Sequence, residues 1–174
     1  AIARVDAVLF ITPEYNRSIP GGLKNAIDWA SRPWGKNSFA HKPSAVIGTS
    51  PGAIGTAVAQ QNLRSVLSFC NSPQMNAPEA YIQFTPGLIK DDGEITDPSA
   101  AEFLENFMRE YLKTNPALSG VHYSDLFERY LPISPKPRRL LAETRRNGPR
   151  TITVAQIDPL NTAGRAGGNR GTTR

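Results

Sequence analysis

Asp6 is followed by an unbroken apolar run, Ala7-Val8-Leu9-Phe10-Ile11, which ends through Thr12 at Pro13. A continuous run of this length, without alternation, predicts a strand over Ala7–Thr12 that is buried on both faces of a parallel sheet. The turn formers from Pro13 to Gly22 predict a loop, and Leu23, Ala26, Ile27 and Ala30 then share one face of a helix. The pattern repeats. Pro43–Thr49 reads as a second buried strand and Ser50–Gly55 as a glycine-bearing loop. Thr56–Phe69 follows as a helix whose buried face is expected at Val58, Leu63, Val66 and Leu67. Ala80, Ile82 and Phe84 alternate along a third strand, and Lys90–Glu94 is a turn. Asp97-Pro98 predicts a helix start, a capping carboxylate before a first-turn proline, for a helix to Lys113 that buries Phe103, Leu104, Phe107, Met108 and Tyr111. Strands alternating with helices mean α/β with a parallel sheet.

Composition divides the chain. The 39% hydrophobic and 8% aromatic content is that of an ordinary globular domain. The net charge of +5 is unevenly spread: residues 1–113 hold 10 Lys or Arg against 11 Asp or Glu, whereas residues 114–174 hold 10 against 4. The later segment is also rich in Pro, Gly and Arg, a composition that packs poorly, so it reads as a basic tail expected to be disordered. Its arginines, Arg138, Arg139, Arg145, Arg146 and Arg150, follow rather than interleave with Tyr123, Phe127 and Tyr130, which argues against nucleic-acid binding. Nothing approaches a membrane-spanning apolar stretch and no leader is visible, so the cytoplasm is the expected location.

In open parallel sheets, ligands sit where loops leave the carboxyl ends of neighbouring strands. The first such loop offers the ring of Tyr15 and the amide of Asn16, which suits a flat heteroaromatic ligand with a hydrogen-bonding edge. The second, Thr49–Gly55, has small residues that let backbone approach closely. Other candidates have plainer readings. Cys70 is a small core residue, His41 and His122 are surface or structural, and Asp91, Asp92, Glu94 and Asp97 lack calcium-loop spacing. Gly164-Arg165-Ala166-Gly167-Gly168 opens no helix and is not favoured as a phosphate loop.

Thr12-Pro13-Glu14-Tyr15-Asn16, followed by Ser18-Ile19-Pro20-Gly21-Gly22-Leu23-Lys24-Asn25-Ala26-Ile27-Asp28-Trp29 and Ser31-Arg32, resembles the signature of the NAD(P)H-dependent FMN reductases. That group includes bacterial chromate and quinone reductases and some azoreductases. The resemblance continues through Ala45–Gly52 and covers about residues 1–112. It implies a three-layer, flavodoxin-like parallel sheet and noncovalent FMN reduced by NADPH or NADH. The electron acceptor would be a small molecule such as a quinone, an azo dye or a metal oxyanion. By the same resemblance Pro13, Glu14, Tyr15 and Asn16 wrap the isoalloxazine ring and Ser50, Pro51 and Gly52 lie against the cofactor's other side. No catalytic side chain is implied, since the chemistry belongs to the flavin, and the expected assembly is a homodimer or homotetramer. Arg17 stands where relatives often carry an aromatic or other residue, a departure that bears on the substrate face more than on flavin binding.

Relatives open with a strand and a phosphate-holding loop that has no counterpart here. The expectation is therefore a domain over residues 1–113 that lacks the first two strands and helices, and weak FMN binding. The alternative is a truncated, non-catalytic fragment that acts, if at all, by association. In the usual 2-1-3-4-5 order the strand at Ala7–Thr12 would become an open edge. Thr151–Ile157 is the one tail segment of strand composition, but its pairing with that edge is not favoured, and residues past Thr114 are expected to be mobile.

Overall fold

The computed structural model describes residues 2–114 and, as backbone, 152–156. After a 3-10 turn at Ile2–Arg4 come β1 (Ala7–Ile11), α1 (Gly21–Ala30), β2 (Ser44–Ser50), α2 (Ala57–Phe69), β3 (Ala80–Gln83), α3 (Pro98–Lys113) and β4 (Ile152–Gln156). The strands form one parallel sheet in the order β3-β2-β1-β4. Each expected element is present within two residues of its expected ends.

Both faces of the sheet are covered, which is why β1 reads as unbroken apolar sequence. Val8, Phe10 and Val46 pack against Leu23 and Ile27 of α1 and Leu63 and Leu67 of α2. On the opposite face Ala7, Leu9, Ala45 and Ile47 meet Leu104, Phe107, Met108 and Tyr111 of α3. Helix α3 begins as its sequence requires: Asp97 accepts from the Ser99 amide at 2.9 Å, with Pro98 in the first turn. The Lys90–Glu94 turn is closed by Gly93 N–H donating to Lys90 O at 2.9 Å. Among the described residues no helix is long and apolar enough to cross a membrane.

Two expectations are corrected. On α2, Val58 is exposed and Val66 half-buried, while Gln60 is fully buried. Its Nε2 donates to Thr56 Oγ1 at 2.8 Å and to Ala80 O at 2.7 Å, so the helix face is turned by a polar tie to β3 that a count of apolar positions does not register. The second correction concerns the edge of β1. Ile152–Gln156 pairs with it in parallel, from Ala7↔Ile152 to Ile11↔Gln156. Unmet donors and acceptors along a buried strand are costly, whereas loop-closure entropy grows only with the logarithm of length. The rest of the expected tail, including His122, Arg138–Arg150 and Gly164–Gly168, lies outside the described residues.

Tyr111 gives a stability prediction. It is buried, its hydroxyl has no hydrogen-bond partner among the described residues, and burial holds its phenol well above the ordinary value near 10.0. Below that value both folded and unfolded chains keep the phenol neutral. As pH rises past it, the unfolded chain ionises and the folded chain resists, so stability is lost. Tyr111→Phe is expected to gain about 1 kcal/mol at neutral pH by removing an unpaired buried hydroxyl, and to flatten the loss above pH 10. Chemical denaturation at neutral and alkaline pH checks both; a destabilised variant would mean that the hydroxyl has a partner.

Candidate functional site

The parallel pairing brings two loops to one end of the sheet. Ile11 is in register with Ile47, and Thr12 N–H donates to Ile47 O at 3.0 Å, so the chain after β1 leaves beside the end of β2. Gly48 allows this contact. A methyl group there would stand 2.2 Å from Thr12 O and 2.4 Å from Thr56 Oγ1, so the start of the first loop and the start of α2 close over a bare backbone. Gly55 plays a second such part at φ +57°, where a side chain would come within 2.8 Å of the Tyr81 carbonyl carbon.

The first loop ends in a tight reversal. Tyr15 N–H donates to Ser18 O and Ser18 N–H to Tyr15 O, both at 2.9 Å, and between them Asn16 and Arg17 adopt φ of +50° and +63°. Positive φ at both central residues is the type I′ arrangement. Asparagine tolerates it well, arginine less so. The turn projects Tyr15, 41% exposed, and Asn16, also exposed.

Glu14 turns the other way. Its side chain is 8% exposed, and Oε2 accepts from the Ala59 amide in the first turn of α2 at 3.0 Å, while Oε1 takes Arg17 at 3.3 Å. Thr56, the residue that begins this helix, makes no side-chain capping bond, so a carboxylate from the neighbouring loop satisfies the helix end and meets its positive dipole. Asn62, one turn further on, donates to Arg17 O at 3.0 Å.

In the second loop Ser50 is half-buried, and Pro51 and Gly52 are exposed. Gly52 N–H donates to Ser50 Oγ at 3.3 Å, and Gln83 of β3 reaches Pro51 O at 3.3 Å. A methyl group at Gly52 would meet only Ser50 Oγ, at 3.7 Å, so the protein itself leaves the space over this backbone unfilled. Pro13, Glu14, Tyr15, Asn16, Ser50, Pro51 and Gly52 thus lie at one end of the sheet, with the Glu14 side chain spent on α2. Reading the residues in order missed Asn62, Gly48 and Gly55. The one signal for Asn62 is a polar residue beside Leu63 on a helix that follows a loop.

The donor set fits the ring half of a flavin: exposed main-chain groups, an aromatic face and an open backbone. A phosphate would find less. Arg17 is the sole basic side chain in either loop, and Glu14 already fills the start of α2.

A different cavity, of about 310 Å³, lies at the carboxyl ends of α1 and α2, lined by Arg32, Trp34, Asn37, Phe69 and Cys70. It is at the other end of the sheet from the two loops. Burial pushes the Cys70 thiol up, with Asp28 adding to the effect, and the side chain is 5% exposed, which makes it the inert core residue its position suggested. His41, in the same region, lies within 3.3 Å of Asn71 Nδ2 through its Nε2.

The chain is 51% identical over 110 residues to a 2-hydroxy-1,4-benzoquinone reductase of a Burkholderia species, covering 63% of this chain and 60% of that protein. It is 47% identical over 120 residues to a quinone reductase of Pseudomonas putida, covering 67% and 64%. Among solved structures, FerB, a flavoenzyme NAD(P)H:(acceptor) oxidoreductase from Paracoccus denitrificans, superposes with a TM-score of 0.62 at 53% identity, covering 64% of this chain and 62% of FerB. The chain therefore spans less than two thirds of the length of these relatives. Residues 1–87, half of the 174, match the NADPH-dependent FMN reductase family, and the chain belongs to that family.

Proposed function

We propose that this chain carries the flavin-ring site of an NAD(P)H-dependent FMN oxidoreductase whose acceptors are quinones. The observation that carries this reading is the pair of loops at the carboxyl ends of β1 and β2, one projecting Tyr15 and Asn16, the other leaving open space over Gly52. FMN, if bound, would supply the redox chemistry, relaying a hydride equivalent from NAD(P)H to a quinone, whose second proton would come from solvent. The side chains hold and orient it: Asn16 offers amide hydrogen bonds to the ring edge, Tyr15 an aromatic face, and Ser50, Pro51 and Gly52 a close backbone on the other side. Pro13 fixes the chain as it leaves β1, and Glu14 contributes through the loop's shape. Quinones are favoured over chromate or azo dyes because the curated relatives are named for them.

The assembly consistent with this reading is a homodimer or homotetramer in the cytoplasm. Trp29, Trp34 and Phe69, each about three-quarters exposed at the far end of α1 and α2, offer apolar surface for such contacts. The second reading, a non-catalytic fragment acting by association, draws on the single basic residue in the two loops. A phosphate left with few charge-assisted bonds forfeits about 1.5 to 3 kcal/mol for each one missing.

Fluorescence titration with FMN and NAD(P)H oxidation in the presence of a quinone and added FMN separate the two. On the flavin reading FMN binds, weakly for the family, and Asn16→Ala lowers its affinity about tenfold by losing one ring-edge hydrogen bond. Wild-type affinity in Asn16→Ala would remove Asn16 from the site. A chain with no FMN affinity and no quinone-dependent oxidation would leave the fragment reading standing.

A further inference from the structure

We infer that Glu14 and Asn62 are positioning residues, through which α2 grips both arms of the Tyr15–Ser18 turn and holds it in the shape that meets the flavin ring. The inference rests on the flavin reading for its purpose, though the grip itself can be tested without flavin.

The turn needs holding. Asn16 and Arg17 both have positive φ, and the local bond Arg17 makes, 3.3 Å to Glu14 Oε1, comes from its guanidinium and leaves the strained backbone of the turn to be held from outside. On the amino-terminal arm, Glu14 Oε2 accepts from Ala59 N–H at 3.0 Å, a bond from a side chain 8% exposed to a residue fully buried. On the carboxyl-terminal arm, Asn62 Nδ2 donates to Arg17 O at 3.0 Å and to Ser18 Oγ at 3.4 Å. Ala59 and Asn62 are adjacent turns of one helix, so the two arms are fixed against the same rigid element. The start of α2 could have capped itself, but the Thr56 hydroxyl is used by Gln60, 2.8 Å away, and that leaves the Ala59 amide for Glu14. An acidic residue next to the ring-facing tip therefore serves the tip's geometry and leaves the first-turn amide at Ala59 unavailable to any phosphate.

Four versions of the full chain test this: wild type, E14Q, E14A and N62A. Trypsin cleavage after Arg17, whose side chain is 68% exposed, reports the order of the turn without any ligand. FMN fluorescence reports its use, and thermal melting separates a loosened turn from a lost fold. E14Q keeps an oxygen that can accept from Ala59 and is expected to match wild type in cleavage. E14A and N62A are expected to be cleaved about tenfold faster and to bind FMN about tenfold more weakly. Wild-type cleavage in both E14A and N62A would overturn the proposal. So would E14Q cleaved as fast as E14A, since the clamp would then be the ion pair to Arg17 and not the bond to the helix. If E14A melts early, N62A, whose bonds lie at the surface, decides the matter. If wild type binds no FMN, the functional reading fails while the cleavage rates still decide the grip.

Discussion

Gly48→Ala is expected to destabilise the chain by about 3 kcal/mol, roughly 10 °C in Tm, the upper end of what a single overpacking substitution costs. The added methyl would lie 2.2 Å from Thr12 O and 2.4 Å from Thr56 Oγ1. Neither neighbour can yield easily. Thr12 is 2% exposed and held by its amide to Ile47 O at 3.0 Å, and Thr56 is fully buried and bonded to Gln60. Relief requires β1 and α2 to move apart, which separates the two loops, so the variant should also lose FMN affinity. Thermal melting and FMN titration of purified Gly48→Ala check both. A wild-type Tm would rule out the close approach of β2 to these threonines.

The next largest effect is expected at β4. In a parallel ladder alternate residues of a strand bond to opposite sides, so of two successive residues one directs its amide to β1. Proline placed in turn at Thr153 and at Val154 must therefore remove one bond to Ala7–Ile11 in one of the two variants. That variant is expected to lose about 2 kcal/mol locally, which corresponds to roughly 30-fold faster hydrogen exchange in β1. Alanine at the same positions keeps the amide and serves as the control. Unchanged β1 protection in both proline variants would dissolve the β1–β4 pairing.

The parts of the fold that sequence disclosed are those set by nearby residues. β1 announced itself because both faces are buried and every position from Ala7 to Ile11 had to be apolar. Helix α3 was legible to its first residue because Asp97 and Pro98 are the cap and the first-turn proline in one dipeptide. The failures all involve partners far away along the chain. Gln60 is buried because of Ala80, and the β1 edge is closed by Ile152–Gln156. At the candidate site, Tyr15, Asn16 and Gly52 stand exposed in the loops that follow β1 and β2, at one end of the sheet. What the side chains do there was less visible. Glu14 lies between Pro13 and Tyr15 in the exposed loop, yet its carboxylate is aimed at an amide 45 residues on, and no spacing rule connects the two.

The pairing of β1 with β4 also has a bearing on how the chain folds. The paired residues Ala7 and Ile152 lie far apart along the chain, so everything between them must be synthesised before this ladder can close. Contacts of such sequence separation slow folding, because the entropy of closing the loop is spent before the ladder returns any energy. Until then β1, β2 and β3 can assemble with their helices, but with Ala7–Ile11 exposed along one side. During that interval the most apolar of the described strands is open to the same strand on another chain. Refolding yield should accordingly fall as protein concentration rises, and a peptide spanning Ile152–Gln156, added during dilution from denaturant, should restore it.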